Sequence, residues 1–249
     1  VTQLGPVRHL LVDLDGTLLG NRSLPLSVDF SLRAIALLKK HVGWKRAART
    51  LIEVHKEFDR PSKTRTNDIR VIEIFAARMG IEPDAGRTMI RTSLSIIFPS
   101  LKRHFFPVPG SREFLDWAKE RYPLTLATNP VWPLEIVKLR VEWAGIDPSI
   151  FGFITYANTM HACKPAPEYY EEVLAHRKLA AADCLLIGDD VKMDLPATQV
   201  GVPVFIVGKH EKLTRLKFTG AKAPAWRGSY AHLRKMLEKS GEPGENEET

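Results

Sequence analysis

His9-Leu10-Leu11-Val12-Asp13-Leu14-Asp15-Gly16-Thr17 is a short apolar run that stops at two aspartates and a glycine. Its brevity and its glycine-bounded end suit a buried strand feeding a loop. Carboxylates are thereby placed at the carboxyl end of a strand.

Beyond Pro107-Val108-Pro109-Gly110, helical stretches alternate with short apolar strands. Helices are expected near residues 111–121, 134–144 and 168–179, and strands at 124–127, 151–155, 184–187 and 203–207. Such alternation indicates an α/β fold with a doubly wound parallel sheet. Its first strand must be His9 to Val12, so the intervening segment is an insertion. That segment has apolar residues at helical spacing and helix-stopping glycines at Gly43 and Gly80, as in an all-helical bundle of about four helices. The expected division is a core at 1–19 and 108–235, a helical insertion at 20–107 and a disordered acidic tail at 236–249. From Glu238 onward the chain holds five Glu and one Lys with two Gly and a Pro, a composition too polar to pack.

In open parallel sheets reactive groups gather at the carboxyl ends of strands. Three strands here end in polar sequence: Asp13-Leu14-Asp15-Gly16-Thr17, Thr128-Asn129-Pro130, and Gly188-Asp189-Asp190 with Asp194 a turn later, while Lys164-Pro165 lies beside the strand at 151–155. Crowded carboxylates repel one another unless a cation sits among them. Asp13, Asp15 and Asp189 offer only oxygen, which suits a hard cation such as Mg²⁺ better than zinc. Lys164 adds positive charge and Thr128 a hydroxyl, so a tetrahedral anion is the expected guest.

The four motifs and their order resemble the haloacid dehalogenase superfamily of aspartate-nucleophile phosphotransferases, with the helical insertion resembling that family's cap. The resemblance covers the sheet domain, about Val7 to Thr17 and Pro109 to Gly208. It implies a Rossmann-like core and a Mg²⁺-dependent phosphatase acting on a small phosphorylated metabolite. It implies that Asp13 attacks phosphorus and binds Mg²⁺, that Asp15 is the general acid and base, and that the backbone carbonyl of Asp15 is a metal ligand. It further implies that Thr128, Asn129 and Lys164 hold the phosphoryl group and that Asp189 completes the metal's protein ligands. Asp190 and Asp194 both stand as further metal candidates, because the spacing from Asp194 to Ala197 and Gly201 is one residue shorter than in the phosphatases it resembles. Members that cleave carbon–halogen or carbon–phosphorus bonds lack an acid two residues after the nucleophile, so Asp15 favours a phosphate ester. A phosphomutase using the same aspartyl phosphate and a non-catalytic binding protein are the alternatives.

Each residue also has a plainer role available. Asp-Gly and Gly-Asp are common turn pairs, Lys164 alone is an ordinary loop lysine, and Thr128 or Asp190 can cap a helix. His161 and Cys163 lack the further ligands zinc needs and read as structural. Trp117 and Trp143 fit core packing rather than base stacking.

With 249 residues, 44% hydrophobic and 26% charged, the composition excludes a disordered, collagenous or disulfide-stapled chain. No apolar run approaches the roughly 20 residues of a membrane-spanning helix. No membrane partner is expected. Two cysteines, Cys163 and Cys184, and no leader-like stretch in Val1 to Pro6 set the expectation of a cytoplasmic protein. The net charge is +7, but Gly20 to Pro107 alone holds 17 Lys and Arg against 8 Asp and Glu, so the insertion carries the whole excess. Most such charges are solvated surface. Lys63, Arg65 and Arg70 are candidates for meeting an anionic ester, and the absence of interleaved aromatics argues against nucleic acid. The cap residues that set specificity and the oligomeric state are not legible from this pattern.

Overall fold

The computed structural model describes residues 4–58, 61–62 and 64–240. Strand β1 (His9–Val12) leads through β2 (Leu19–Asn21) into four helices, α1 (Ser23–Val42), α2 (Trp44–Glu57), α3 (Asn67–Met79) and α4 (Pro83–Leu101), and back through β3 (Phe105–Pro107). There follow α5 (Ser111–Ala118), β4 (Leu124–Leu126), α6 (Leu134–Trp143), β5 (Phe151–Ile154) and α7 (Pro167–Arg177). Next come β6 (Cys184–Gly188), the single turn α8 (Val191–Asp194), β7 (Val204–Val207), β8 (Thr214–Leu216), β9 (Ala225–Gly228) and α9 (Tyr230–Ser240).

The main sheet has the order β5-β4-β1-β6-β7-β9-β8, parallel except for β8, which runs antiparallel to β9. The fold is the expected α/β one, with β1 inside the sheet between β4 and β6. The chain winds outward to β4 and β5 on one side, then crosses to β6, β7 and β9 on the other, so the order reverses at β1. Outside that reversal, at the strands' carboxyl ends, an open sheet leaves a crevice.

The unbroken apolar character of these strands follows from burial on both faces. Leu10, Val12, Leu126, Leu185 and Ile187 pack on one side with Phe114 and Leu115 of α5, Val137 and Val141 of α6, and Leu233 and Leu237 of α9. Leu11, Leu186, Val204 and Ile206 pack on the other with Tyr169, Tyr170 and Val173 of α7 and with Leu195 and Ala197. Each fully buried Leu or Ile contributes roughly 1.5–3 kcal/mol.

Helices α1 to α4 pack on one another around Leu38, Ala47, Phe75 and Met79. Gly80, in the left-handed conformation at φ 70°, ends α3 as its spacing predicts, with its N–H on Ala76 O. Two connections to the sheet were not legible beforehand. β2 and β3 pair antiparallel at the entrance and exit of the helical segment, with Gly20 opposite Phe106. A Cβ at Gly20 would lie 2.4 Å from the Phe106 ring, so a larger residue there would require that ring to move. Beside this ribbon, Phe98 packs edge-on to Trp132 at 4.9 Å, and Phe105 lies 5.1 Å from Trp143. Trp117 is buried among the core helices and Trp143 packs at their edge.

The expectation of a tail beginning at residue 236 is corrected. α9 runs to Ser240, because Leu237, one turn after Leu233, is fully buried against the sheet. Residues 241–249 and Lys63 lie outside the described residues. Among the described residues no helix is long and apolar enough to cross a membrane.

Candidate active site

Strand register brings the polar ends together. Val12 is level with Leu126 of β4 and Ile187 of β6. The ladder continues one step further, Asp13 N donating to Ile187 O at 2.9 Å and Ala127 N to Val12 O at 2.7 Å. Asp13, Thr128 and Asp189 therefore leave adjacent strands at one level.

Lys164 closes the group from the loop after β5. Its Nζ donates to Asp13 Oδ1 and to Asp194 Oδ1, both at 2.7 Å, and all three residues are buried. Burial opposes the charge of Lys164, but the Asp13 and Asp194 carboxylates outweigh it and hold the ammonium well above its ordinary range. Burial pushes the Asp13 carboxyl up to about 7, against the pull of Lys164 and with further repulsion from Asp194 and Asp15. Asp189 is pushed up to about 6 by burial and by Asp194 and Asp190.

Asp13, Asp189 and Asp194 each present an oxygen within 4.8 Å of the others. Three carboxylates at this spacing with one lysine among them carry excess negative charge, and an all-oxygen donor set fits a hard divalent cation. The backbone is shaped around them. Gly16 has φ 77°, and a Cβ there would meet Asp189 Oδ2 at 1.9 Å; a Cβ on Gly188 would meet Asp194 Oδ2 at 2.1 Å. The Thr17 hydroxyl reaches Asp13 Oδ2 at 3.3 Å and Asp189 Oδ1 at 3.4 Å.

Of the two uncertain acids, Asp194 lies in the cluster and Asp190 does not. Asp190 caps α8, its carboxylate accepting from Lys192 N and Met193 N, while its own N–H donates to Asp194 Oδ2 at 3.1 Å and so orients it. Asp15 also stands apart from the carboxylate cluster: its side chain pairs with Arg140 of α6. Thr128 does not cap α6, whose cap position is Pro133. Its carbonyl accepts from Thr155 Oγ1 at 2.6 Å and Tyr169 OH at 2.9 Å, whereas its own hydroxyl is buried without a partner. A buried hydroxyl left open is costly unless a guest completes it. The Asn129 side chain accepts from Lys164 N at 3.1 Å and braces the lysine loop.

Of the candidate cap cations, the two among the described residues, Arg65 and Arg70, pair elsewhere. Arg65 pairs with Glu73 on the surface. Arg70 is buried, bound to Glu57, to Asn67 and to the backbone of His161. The loop that holds them sits on the core through Ser62 N to His161 O, Asn67 N to Met160 O and Asp68 N to Ala157 O, at 3.1, 2.8 and 3.1 Å. His161 instead pairs with Glu172, a structural contact.

Three supporting residues escaped sequence reasoning. Tyr230 OH donates to Thr17 O at 2.8 Å and pins the loop after β1. Tyr169 places its ring 5.9 Å from Lys164 Nζ. Arg140 had one signal: it falls on the face of α6 that carries Ile136, Val137 and Val141, where a charge needs a partner.

The chain resembles solved structures across nearly its whole length. A 2-haloacid dehalogenase from Pseudomonas syringae pv. Tomato DC3000 is 18% identical with a TM-score of 0.61, covering 94% of this chain and 99% of that one. A HAD phosphatase from Thermococcus onnurineus is also 18% identical, with a TM-score of 0.58 and coverage of 93% and 98%. A predicted phosphoglycolate phosphatase from Haemophilus somnus 129pt is 19% identical, with a TM-score of 0.52 and coverage of 92% and 97%. No curated protein matches the sequence. The model of the haloacid dehalogenase-like hydrolase family matches residues 7–200, a span that holds every residue of the carboxylate–lysine cluster, and the chain belongs to that family of hydrolases.

Proposed function

We propose that this hydrolase is a Mg²⁺-dependent phosphatase that cleaves a small phosphate monoester through an aspartyl phosphate on Asp13. The observation that carries the reading is the buried Asp13–Lys164–Asp194 cluster, a cation held on the candidate nucleophile, with Thr128 at the end of the adjacent strand carrying a buried hydroxyl that has no partner and that a phosphoryl oxygen would complete. Asp15 supports a phosphate ester over a halogenated acid, because ester cleavage needs an acid for the leaving oxygen and dehalogenation does not.

An Asp13 oxygen attacks phosphorus as the ester bond breaks, and the leaving alkoxide takes a proton from Asp15. Asp15, now a carboxylate, takes a proton from water, whose oxygen attacks phosphorus and releases inorganic phosphate and the free Asp13 carboxylate. Lys164 neutralises Asp13 and the phosphoryl oxygens, while the Thr128 hydroxyl and the Asn129 backbone hold them. Mg²⁺ held by Asp13, Asp189 and Asp194 would neutralise phosphoryl charge. The helical segment, docked on the loop before Lys164, favours small substrates over polymers.

Phosphate release from a panel of small esters, with and without Mg²⁺, tests the reading. Asp13→Asn is expected to lower turnover on the order of 10⁴-fold while the protein stays folded by circular dichroism. Turnover that survives Asp13→Asn or ignores chelation overturns it.

A further inference from the structure

The pairing of Asp15 with Arg140 has no counterpart among the motifs at the strand ends. Arg140 is nearly as buried as the carboxylate cluster, its side chain 4% exposed against 42% for Asp15. The bond is one-ended: Nη2 of the guanidinium meets Oδ1 of Asp15, and Oδ2 takes no partner among the described residues. Arg140 in turn lies over the Phe105 ring, 5.7 Å from its centre. Phe105 begins β3, the strand that pairs with β2 where the chain leaves the helical segment, and its ring also touches Trp143. One chain of contacts thus runs from the strand that carries the helices, through an aromatic ring and a buried guanidinium, to the carboxylate two residues after Asp13.

A buried arginine costs several kcal/mol unless it is paired, and Arg140 has the Nε proton still unmatched. Packing alone would be served better by an apolar residue at this position of α6. The guanidinium fixes the orientation of a half-exposed carboxylate that would otherwise sample several rotamers.

We propose that Arg140 is the positioning residue for Asp15: it clamps Oδ1, leaves Oδ2 to exchange the proton with the leaving oxygen, and ties that geometry to the cap strand through Phe105. The inference rests on the phosphatase reading. It predicts an effect that depends on the leaving group, because an alkyl ester needs the proton from Asp15 whereas p-nitrophenolate leaves with little help.

The experiment compares kcat/KM for the best alkyl ester with that for p-nitrophenyl phosphate, a ratio that reports the step that breaks the ester bond. Arg140→Gln is expected to lower the alkyl value about 30-fold and the p-nitrophenyl value less than about 3-fold. Arg140→Lys, which supplies the one donor the pair requires, is expected to recover most of the loss. In an Asp15→Asn background, Arg140→Gln is expected to add less than about 2-fold. Phe105→Leu keeps the apolar contact without the ring and is expected to show the same leaving-group bias at about 3-fold, which covers the case in which Arg140→Gln fails to fold. Equal losses on both esters, or full additivity with Asp15→Asn, overturn the inference and leave the phosphatase reading intact. A wild-type protein silent on every ester overturns both.

Discussion

In β1 and β6 the side chains of Leu10, Leu11, Val12, Leu185, Leu186 and Ile187 are no more than 1% exposed, whereas the helical segment leaves Leu24, Leu32, Trp44, Ile52 and Ile96 more than half open. The difference has a geometric cause. A parallel strand between two helical layers has no outward face, so all its side chains are buried, whereas each helix of a four-helix layer has one. The site draws its scaffold from the first kind of environment: Asp13 and Asp189 extend from strands that cannot shift without unpacking both cores. The apolar side chains that stand open lie instead on the segment that the proposed function assigns to substrate entry.

The largest expected effect follows from that contrast. Leu186→Ala, in the middle of β6, is expected to cost about 4 kcal/mol in urea unfolding, since the two layers cannot close on the cavity. Leu32→Ala on α1 is expected to change stability by less than about 0.5 kcal/mol. Similar costs at the two positions would mean that the exposed faces of the helices are covered in solution.

How much of this could be read in the sequence follows the same division. The strands at β1, β4, β5, β6 and β7 are legible because each is an apolar run bounded by turn residues, and their order alone points to Asp13, Thr128, Lys164 and Asp189. β2 and β3, three residues each, are too short to show alternation. β9 was missed for a related reason: Ala225-Trp226-Arg227-Gly228 has one large apolar residue, and only its place beside β7 explains why Trp226 is completely buried. Tyr230 was illegible as a site residue because a phenol on a helix ordinarily reaches solvent, and the position of Arg140 on the apolar face of α6 signalled a partner without naming it; what the two bind lies 213 and 125 residues away in sequence. The choice between Asp190 and Asp194 needed the turn at α8, where one acid caps the backbone and the other is held inward.

A second effect separates the regions by pH. His9, buried in β1 with its Nε2 2.9 Å from Thr125 Oγ1, has its pKa lowered to about 4 by burial, with Arg177 adding to the shift. Between pH 6.5 and 4 the unfolded chain binds a proton there and the native protein does not. The stability held by neutral His9 is therefore complete above pH 6.5 and lost as pH falls toward 4, on the order of 3 kcal/mol at most. Urea midpoints across this range are expected to fall less steeply for His9→Asn than for the wild type. Parallel slopes would show that the imidazole protonates without disturbing the sheet.

The smallest effect concerns the junction itself. Asn67, 1% exposed at the start of α3, donates from Nδ2 toward Pro130 O, Ala162 O and Cys163 Sγ at 3.3–3.4 Å and accepts from Arg70 at 3.3 Å. These long bonds are individually weak, but Asn67→Ala would strand two buried carbonyls and a guanidinium proton, a cost of about 1–2 kcal/mol. Native-state hydrogen exchange shows where that cost falls. If the helical segment opens on its own, the amides of Ser62, Asn67 and Asp68, which bond to the core loop, are expected to exchange faster in Asn67→Ala while those of β1 and β6 keep their wild-type protection. If all of them speed up together, the segment and the sheet form one cooperative unit, and access to Asp13 cannot be controlled by opening this junction alone.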